Sequence, residues 1–408
     1  MSDRFEAFRY SSYTRYFISR FFTSFSVQVL SVAVGWQIYD ATRDPALLGW
    51  IGLVQFLPAL CLVVVTGNTA DRIGRRLVMG SAMLLMMACA GAILYLATSD
   101  QFAPVLVLSV LTMFGVARAF YGPASTSLAV NLVPREVFPN AVGWISSSWQ
   151  LATIAGPVAG GLLYGLSPVA AYGTATALFA VGATLILTIP KPVQQIDKAP
   201  TTLSSLLGGF SYIWKQKIVL GAITLDLFAV LLGGAIALMP VYARDILDVG
   251  ELGLGLLRAA PGVGAIIAIA IITAFPIRDY AGWILLGAVA LFGLATAVFG
   301  ASTLAWVSIL ALILVGGFDM VSVYIREILV QVWTPDQVRG RVNAVNSIFV
   351  GASNELGEAR AGFMAAALGP VVTVVGGGIA AIGIAGVSAF LFPKLRDARK
   401  LHDGRPER

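Results

Sequence analysis

Twelve apolar stretches, each about 20 residues or longer, dominate this chain and leave it few ways to fold. They cover 16–39, 47–69, 77–98, 104–128, 141–164 and 169–189, then 218–242, 252–275, 283–301, 306–332, 342–368 and 371–392. A hydrocarbon layer about 30 Å thick is crossed by about 20 apolar residues of helix, the conformation that satisfies its own backbone polar groups there. The expectation is an all-α membrane protein with twelve transmembrane helices. A composition that is 58% hydrophobic and 12% charged excludes a soluble domain. The first stretch follows a polar, basic segment, 1–15, without a small-residue cleavage site, and is expected to be retained as a helix.

Orientation is read from lysine and arginine, which cytoplasmic loops keep. Apart from Arg43 and Arg244, the loop and tail cations fall on the side of the N-terminus: Arg4, Arg9, Arg15, Arg72, Arg75, Arg76, Arg135, Lys191, Lys198, Lys215, Lys217, Arg278, Arg339, Arg341 and those after Pro393. Both termini are therefore expected in the cytoplasm. The pI near 9.4 reflects this loop pattern, so a nucleic-acid partner is not expected. Cys61 and Cys89 lie inside apolar stretches and the sole histidine, His402, lies in the basic tail, which leaves no metal site or disulfide framework to expect.

The polar connection 190–217 divides the chain into two sets of six spans, 16–189 and 218–392, followed by the tail 393–408. The halves overlay at an offset of about 202, which matches Tyr39 with Tyr242, Pro58 with Pro261, Ser146 with Ser347, Gly156 with Gly357 and Gly161 with Gly362. Two pseudo-symmetric six-helix halves are a common plan for secondary transporters.

Three motifs stand at positions where such a plan would use them. Between the second and third spans, Gly67, Asp71, Arg72, Gly74, Arg75 and Arg76 form the pattern G-x-x-x-D-R-x-G-R-R. Gly67 lets helices approach, Gly74 permits a tight turn, and Asp71 can accept hydrogen bonds from arginines or a helix N-terminus. In the fourth span, Arg118 and Tyr121 belong to Arg-Ala-Phe-Tyr-Gly. In the fifth, Gly143, Ala152, Gly156, Pro157, Gly160 and Gly161 follow G-x8-G-x3-G-P-x2-G-G with alanine at one glycine position. The first motif resembles the signature loop of the major facilitator superfamily. The second resembles that family's R-x-x-Q-G motif, with Tyr121 in place of glutamine, and the third its antiporter motif. The layout, including Arg339-Gly340-Arg341-Val342 and Asn354 to Glu358, is similar to the branch that contains bacterial enterobactin exporters and multidrug efflux proteins. The resemblance implies a cytoplasmic gate built on the first motif, alternating access around a midplane cavity, and export as the direction.

Coupling must then come from intramembrane charge. The spans contain the acids Asp226, Asp319, Glu327, Glu355 and Glu358 and the arginines Arg20, Arg118, Arg258, Arg326 and Arg360. A carboxylate with an arginine partner stays ionised, whereas one without is pushed towards protonation. Glu355 and Glu358, like charges one helical turn apart, and Asp226, alone in an apolar stretch, are the expected proton-coupling acids; inter-helix salt bridges are the alternative use. Arg118, Tyr121, Arg20, Gln28, Asp319, Arg326 and Arg360 are expected to line the cavity or relay charge, with Asp319 and Arg326 on one face of the tenth span, and a structural ion pair remains open for Arg118. No cofactor is expected, and neither a phosphate loop nor a catalytic nucleophile arrangement is present, so the chain is not expected to be an enzyme. One charge crossing 100 mV releases about 2.3 kcal/mol, enough to drive such a cycle. The expected activity is proton-coupled efflux of small amphipathic or apolar compounds, drugs or siderophore-like metabolites, by a monomer in the bacterial cytoplasmic membrane. Proton-coupled import of a small organic solute and lipid flipping remain the alternatives.

Overall fold

A computed structural model describes residues 4–99, 103–191, 203–277 and 279–398. Lys198, Arg278 and His402, with most of the polar connection and the tail, lie outside the described residues. After a short 3-10 turn, Glu6–Arg9, come α1 (Ser11–Thr42), α2 (Pro45–Ile73), α3 (Arg75–Thr98), α4 (Pro104–Ala129), α5 (Phe138–Leu166) and α6 (Pro168–Leu187). The second series is α7 (Leu203–Lys215), α8 (Lys217–Gly233), α9 (Met239–Val241), α10 (Gly250–Ala274), α11 (Ala281–Ala301), α12 (Ala305–Val332), α13 (Asp336–Leu368), α14 (Pro370–Leu391) and α15 (Pro393–Arg396). The protein is an all-helical, multi-pass membrane protein whose long helices correspond to the twelve apolar stretches.

Ten of the described helical segments are long and apolar enough to cross a bilayer by themselves. The remaining long helices, α5 and α13, are long enough but too polar. The first carries Asn140, Ser146, Ser147, Ser148 and Gln150, and the second Arg339, Arg341, Glu355, Glu358 and Arg360. Polar side chains at membrane depth are expensive unless they face protein or a cavity.

Two compact units emerge. Unit 1 comprises Met1–Ala41, Val54–Thr201 and Gly250–Ala259; unit 2 comprises Thr42–Leu53, Thr202–Val249 and Ala260–Arg408. In unit 1, α3 packs between α4 and α6, with Met79, Met83, Leu128 and Ile186 in a buried cluster. In unit 2, α11 packs against α12 and α14, and α8 against α13 and α14. Small residues set the closest approaches, since a lipid-exposed helix gains little from apolar burial and much from backbone proximity. A methyl group at Gly293 would lie 2.5 Å from the Gly378 carbonyl oxygen, so α11 and α14 can cross only there at glycine.

Two features differ from the sequence expectation. The polar connection contains α7, an amphipathic helix that buries Ile213 in a cluster with Val330, Val342 and Val345 and leaves Phe210 and Trp214 exposed. Its Tyr212 hydroxyl, pushed up from its ordinary pKa by burial, donates to the Trp333 carbonyl at 2.6 Å. The seventh span, expected as one helix, stops at Gly233. Gly234 is extended, at φ −61° and ψ 121°, before a 3-10 turn at Ile236–Leu238, the single turn α9 and a π turn at Tyr242–Ile246. The Gly233-Gly234 pair, the residue type that tolerates a helix break at least cost, supplies the reason.

Candidate functional site

Charge inside unit 2 is organised around α8 and α12. Arg326 donates to an Asp226 carboxylate oxygen at 2.7 Å, with both side chains almost fully buried. The expectation that Asp226 stands alone is therefore corrected: its partner is 100 residues away in sequence, a pairing that helix periodicity cannot reveal. Glu327, the next residue on α12, accepts from the Asn346 amide of α13 at 3.1 Å.

Asp319 lies seven residues before Arg326 and hence on the same side of α12. It makes no hydrogen bond or ion pair among the described residues, and the charges nearest to it are those of Asp226 and Arg326. Its carboxyl opens onto a cavity inside unit 2 that holds about 610 Å³ of empty space, mouth included. The walls come from the broken segment of α8 (Val230, Gly233, Gly234, Ala235), Pro261 of α10, Phe292, Thr296 and Phe299 of α11, Leu312, Val315 and Gly316 of α12, and Asn354 of α13. The apolar setting was visible in sequence, whereas the cavity itself required the break in α8.

Glu355 and Glu358 are half-buried on α13, both have interaction partners, and both lie against Gly52, where a methyl group would come 3.5 Å from the Glu358 Cβ and 3.6 Å from a Glu355 carboxylate oxygen. Arg360 of the same helix contacts the Met364 sulfur at 3.5 Å.

Unit 1 holds the other groups. Arg20 is tied to the Tyr16 hydroxyl at 3.1 Å and to the Ser125 hydroxyl at 2.9 Å, and Tyr121 packs against the buried cluster that contains Tyr16. Arg118 is exposed and donates to the Gln55 amide oxygen at 3.3 Å, one turn above Gly115, which packs on the Gln55 backbone. Gln28 is half-buried against Gly156.

The motif residues take specific positions. Gly74 has φ +110°, a conformation that only glycine adopts without strain, and it starts α3. Arg75 donates to the Ser127 carbonyl at 3.1 Å and to the Asn131 side chain at 2.9 Å, and Arg76 to the Ile189 carbonyl. These two arginines thus serve the C-terminal ends of α4 and α6, where unpaired carbonyls and the helix dipole favour cations. The sequence reading missed this role. Arg72 is exposed; Gly67 and Asp71 lie on α2, with their side-chain surroundings outside the described residues. In α5, a methyl group at Gly156 would lie 2.6 Å from the Gln28 Cβ, and one at Gly160 would lie 3.1 Å from the Val29 Cα. Gly161 packs on the Glu251 carbonyl, and the Pro157 carbonyl faces Gly255. A methyl group at Gly143 would meet nothing within 4 Å among the described residues, so it is no packing glycine.

Comparison with known proteins agrees with this architecture. The chain is 28% identical over 225 residues to macrolide efflux protein A of Streptococcus pyogenes, a match that spans 53% of this chain and 53% of that protein. Over 393 residues it is 25% identical to the enterobactin exporter of Shigella boydii serotype 4, covering 94% of this chain and 92% of the exporter. Its fold superposes on a bacterial homologue of the human lysosomal transporter Spinster with a TM-score of 0.74 at 13% identity, covering 97% and 99% of the two chains. A D-xylose–proton symporter gives a TM-score of 0.70 at 12% identity, covering 99% and 100%. The sequence model of the Major Facilitator Superfamily matches residues 16–325, and the chain belongs to that superfamily of transporters.

Proposed function

We propose that the protein is a proton-coupled exporter of small amphipathic or apolar compounds, operating by alternating access in a bacterial cytoplasmic membrane with both termini inside. The observation that carries this reading is Asp319, a carboxylate without an ion-pair partner among the described residues, set in an apolar cavity beside the Asp226–Arg326 pair. Such an acid exchanges protons more readily than a paired one, because its charged form has little to stabilise it. Glu355 and Glu358 remain coupling acids in this scheme, whereas Asp226 acts as the counter-ion of Arg326. Support for the export direction comes from the names of the relatives, an enterobactin exporter and a macrolide efflux protein, and from the glycine and proline spacing of α5.

Everted membrane vesicles test the reading. With the lumen acidified, an amphipathic fluorescent dye should accumulate inside, and a protonophore should abolish the accumulation. Glu355→Gln and Glu358→Gln should each remove the gradient-driven component while folded protein stays in the membrane. Dye accumulation driven by an inward proton gradient in right-side-out vesicles would reverse the assigned direction.

A further inference from the structure

We propose that the cavity inside unit 2 is a binding site for an apolar organic cation, a protonated or quaternary amine with an aromatic or aliphatic body, whose counter-charge is Asp319. The inference rests on the exporter reading and names a substrate class for the same site.

Three independent observations point to this ligand. First, the charged lining residue is an acid. Asp319 faces the space, and no lysine, arginine or histidine lines it. The Asn354 amide nitrogen is already bonded to the Val350 carbonyl at 2.8 Å and the Thr296 hydroxyl to the Phe292 carbonyl at 2.9 Å, which leaves the Asn354 side-chain oxygen as an acceptor. Second, α8 ends at the cavity. Its 17 residues terminate at Gly233, and Val230, Gly233 and Gly234 of its last turn form part of the wall. The C-terminal end of a helix carries about half a negative charge, which favours a cation there, as at the broken membrane helices of transporter sites. Third, the walls include the rings of Phe292 and Phe299, which suit both an apolar body and a cation within about 6 Å of a ring face. An anion, by contrast, would face a carboxylate and a helix C-terminus together.

The test uses the full-length protein in detergent micelles without any gradient, with benzyltrimethylammonium as probe and isothermal titration calorimetry as readout. Wild-type protein should bind the probe saturably and should not bind benzenesulfonate, an anion with a similar ring. Asp319→Asn should weaken binding of benzyltrimethylammonium at least tenfold, while Asp319→Glu, which keeps the charge, should stay within about threefold, as expected for a contact that depends on an ion pair. No saturable binding by the wild type, or equal binding by Asp319→Asn, overturns the proposal. Equal loss in the Asn and Glu variants also overturns it, since packing rather than charge would then govern the site. Because no proton gradient is present, failure here leaves the export measurement untouched, and failed export leaves this binding result standing.

Discussion

Asp226 and Arg326 form an ion pair in which both side chains are almost fully buried. Asp226→Asn leaves the guanidinium without its counter-ion, and the loss should be about 3 kcal/mol of unfolding free energy. Replacing both partners by apolar residues of similar size, Asp226→Leu with Arg326→Met, removes the buried charges together and should recover stability to within about 1 kcal/mol of the wild type. Chemical denaturation in detergent, followed by tryptophan fluorescence, separates the two outcomes; equal losses in the single and double variants would show that the pair is not held by charge. The sequence exposes each of these residues as a costly intramembrane charge, but not their partnership. Pairing depends on how α8 and α12 are rotated, which no spacing within either helix encodes. For the same reason Asp226 reads as the lone acid in sequence, while in the fold it is paired and Asp319 makes no ion pair among the described residues.

At the scale of helices, close crossings decide which glycines matter. Gly156 and Gly143 belong to the same α5 pattern, yet they differ in surroundings: Gly156 lies against Gln28 and the Phe25 carbonyl, while Gly143 faces open space. Gly156→Leu should force α5 away from α1 and cost about 1–3 kcal/mol, with a matching loss of dye export. Gly143→Leu should remain within about 0.5 kcal/mol of the wild type, as do most substitutions at uncrowded positions. Denaturation midpoints of the two variants check the contrast, and similar midpoints would mean that the motif acts through something other than packing. Helix existence was legible from apolar length alone, because a membrane leaves the backbone few other options. The break at Gly233 was not, since 218–242 is apolar on either side of it and carries no charge or proline at the break. The amphipathic α7 was hidden differently: it is too short and too polar for a span, and it gains stability by covering α13 rather than by crossing a membrane.

For the molecule as a whole, the distribution of cations makes a prediction about sidedness. Lysine and arginine in short loops and at helix ends resist translocation, and the loop between α1 and α2 holds Arg43, whereas the opposite side holds Arg75 and Arg76 at the start of α3 and Arg135 in the connection from α4 to α5. Arg43 also forms an exposed ion pair with Asp245, in the segment that follows α9. Both are expected to face the exterior. In a chain whose native Cys61 and Cys89 have been replaced by alanine, Arg43→Cys should react in intact cells with a maleimide that cannot cross the membrane. Arg135→Cys should react only after the cells are opened. The reverse pattern would invert every loop and move both termini outside. Labelling in the expected order fixes the α2–α3 turn, with Gly74 at its start and Arg75 and Arg76 closing α4 and α6, on the cytoplasmic face, where a gate built on that turn would have to act.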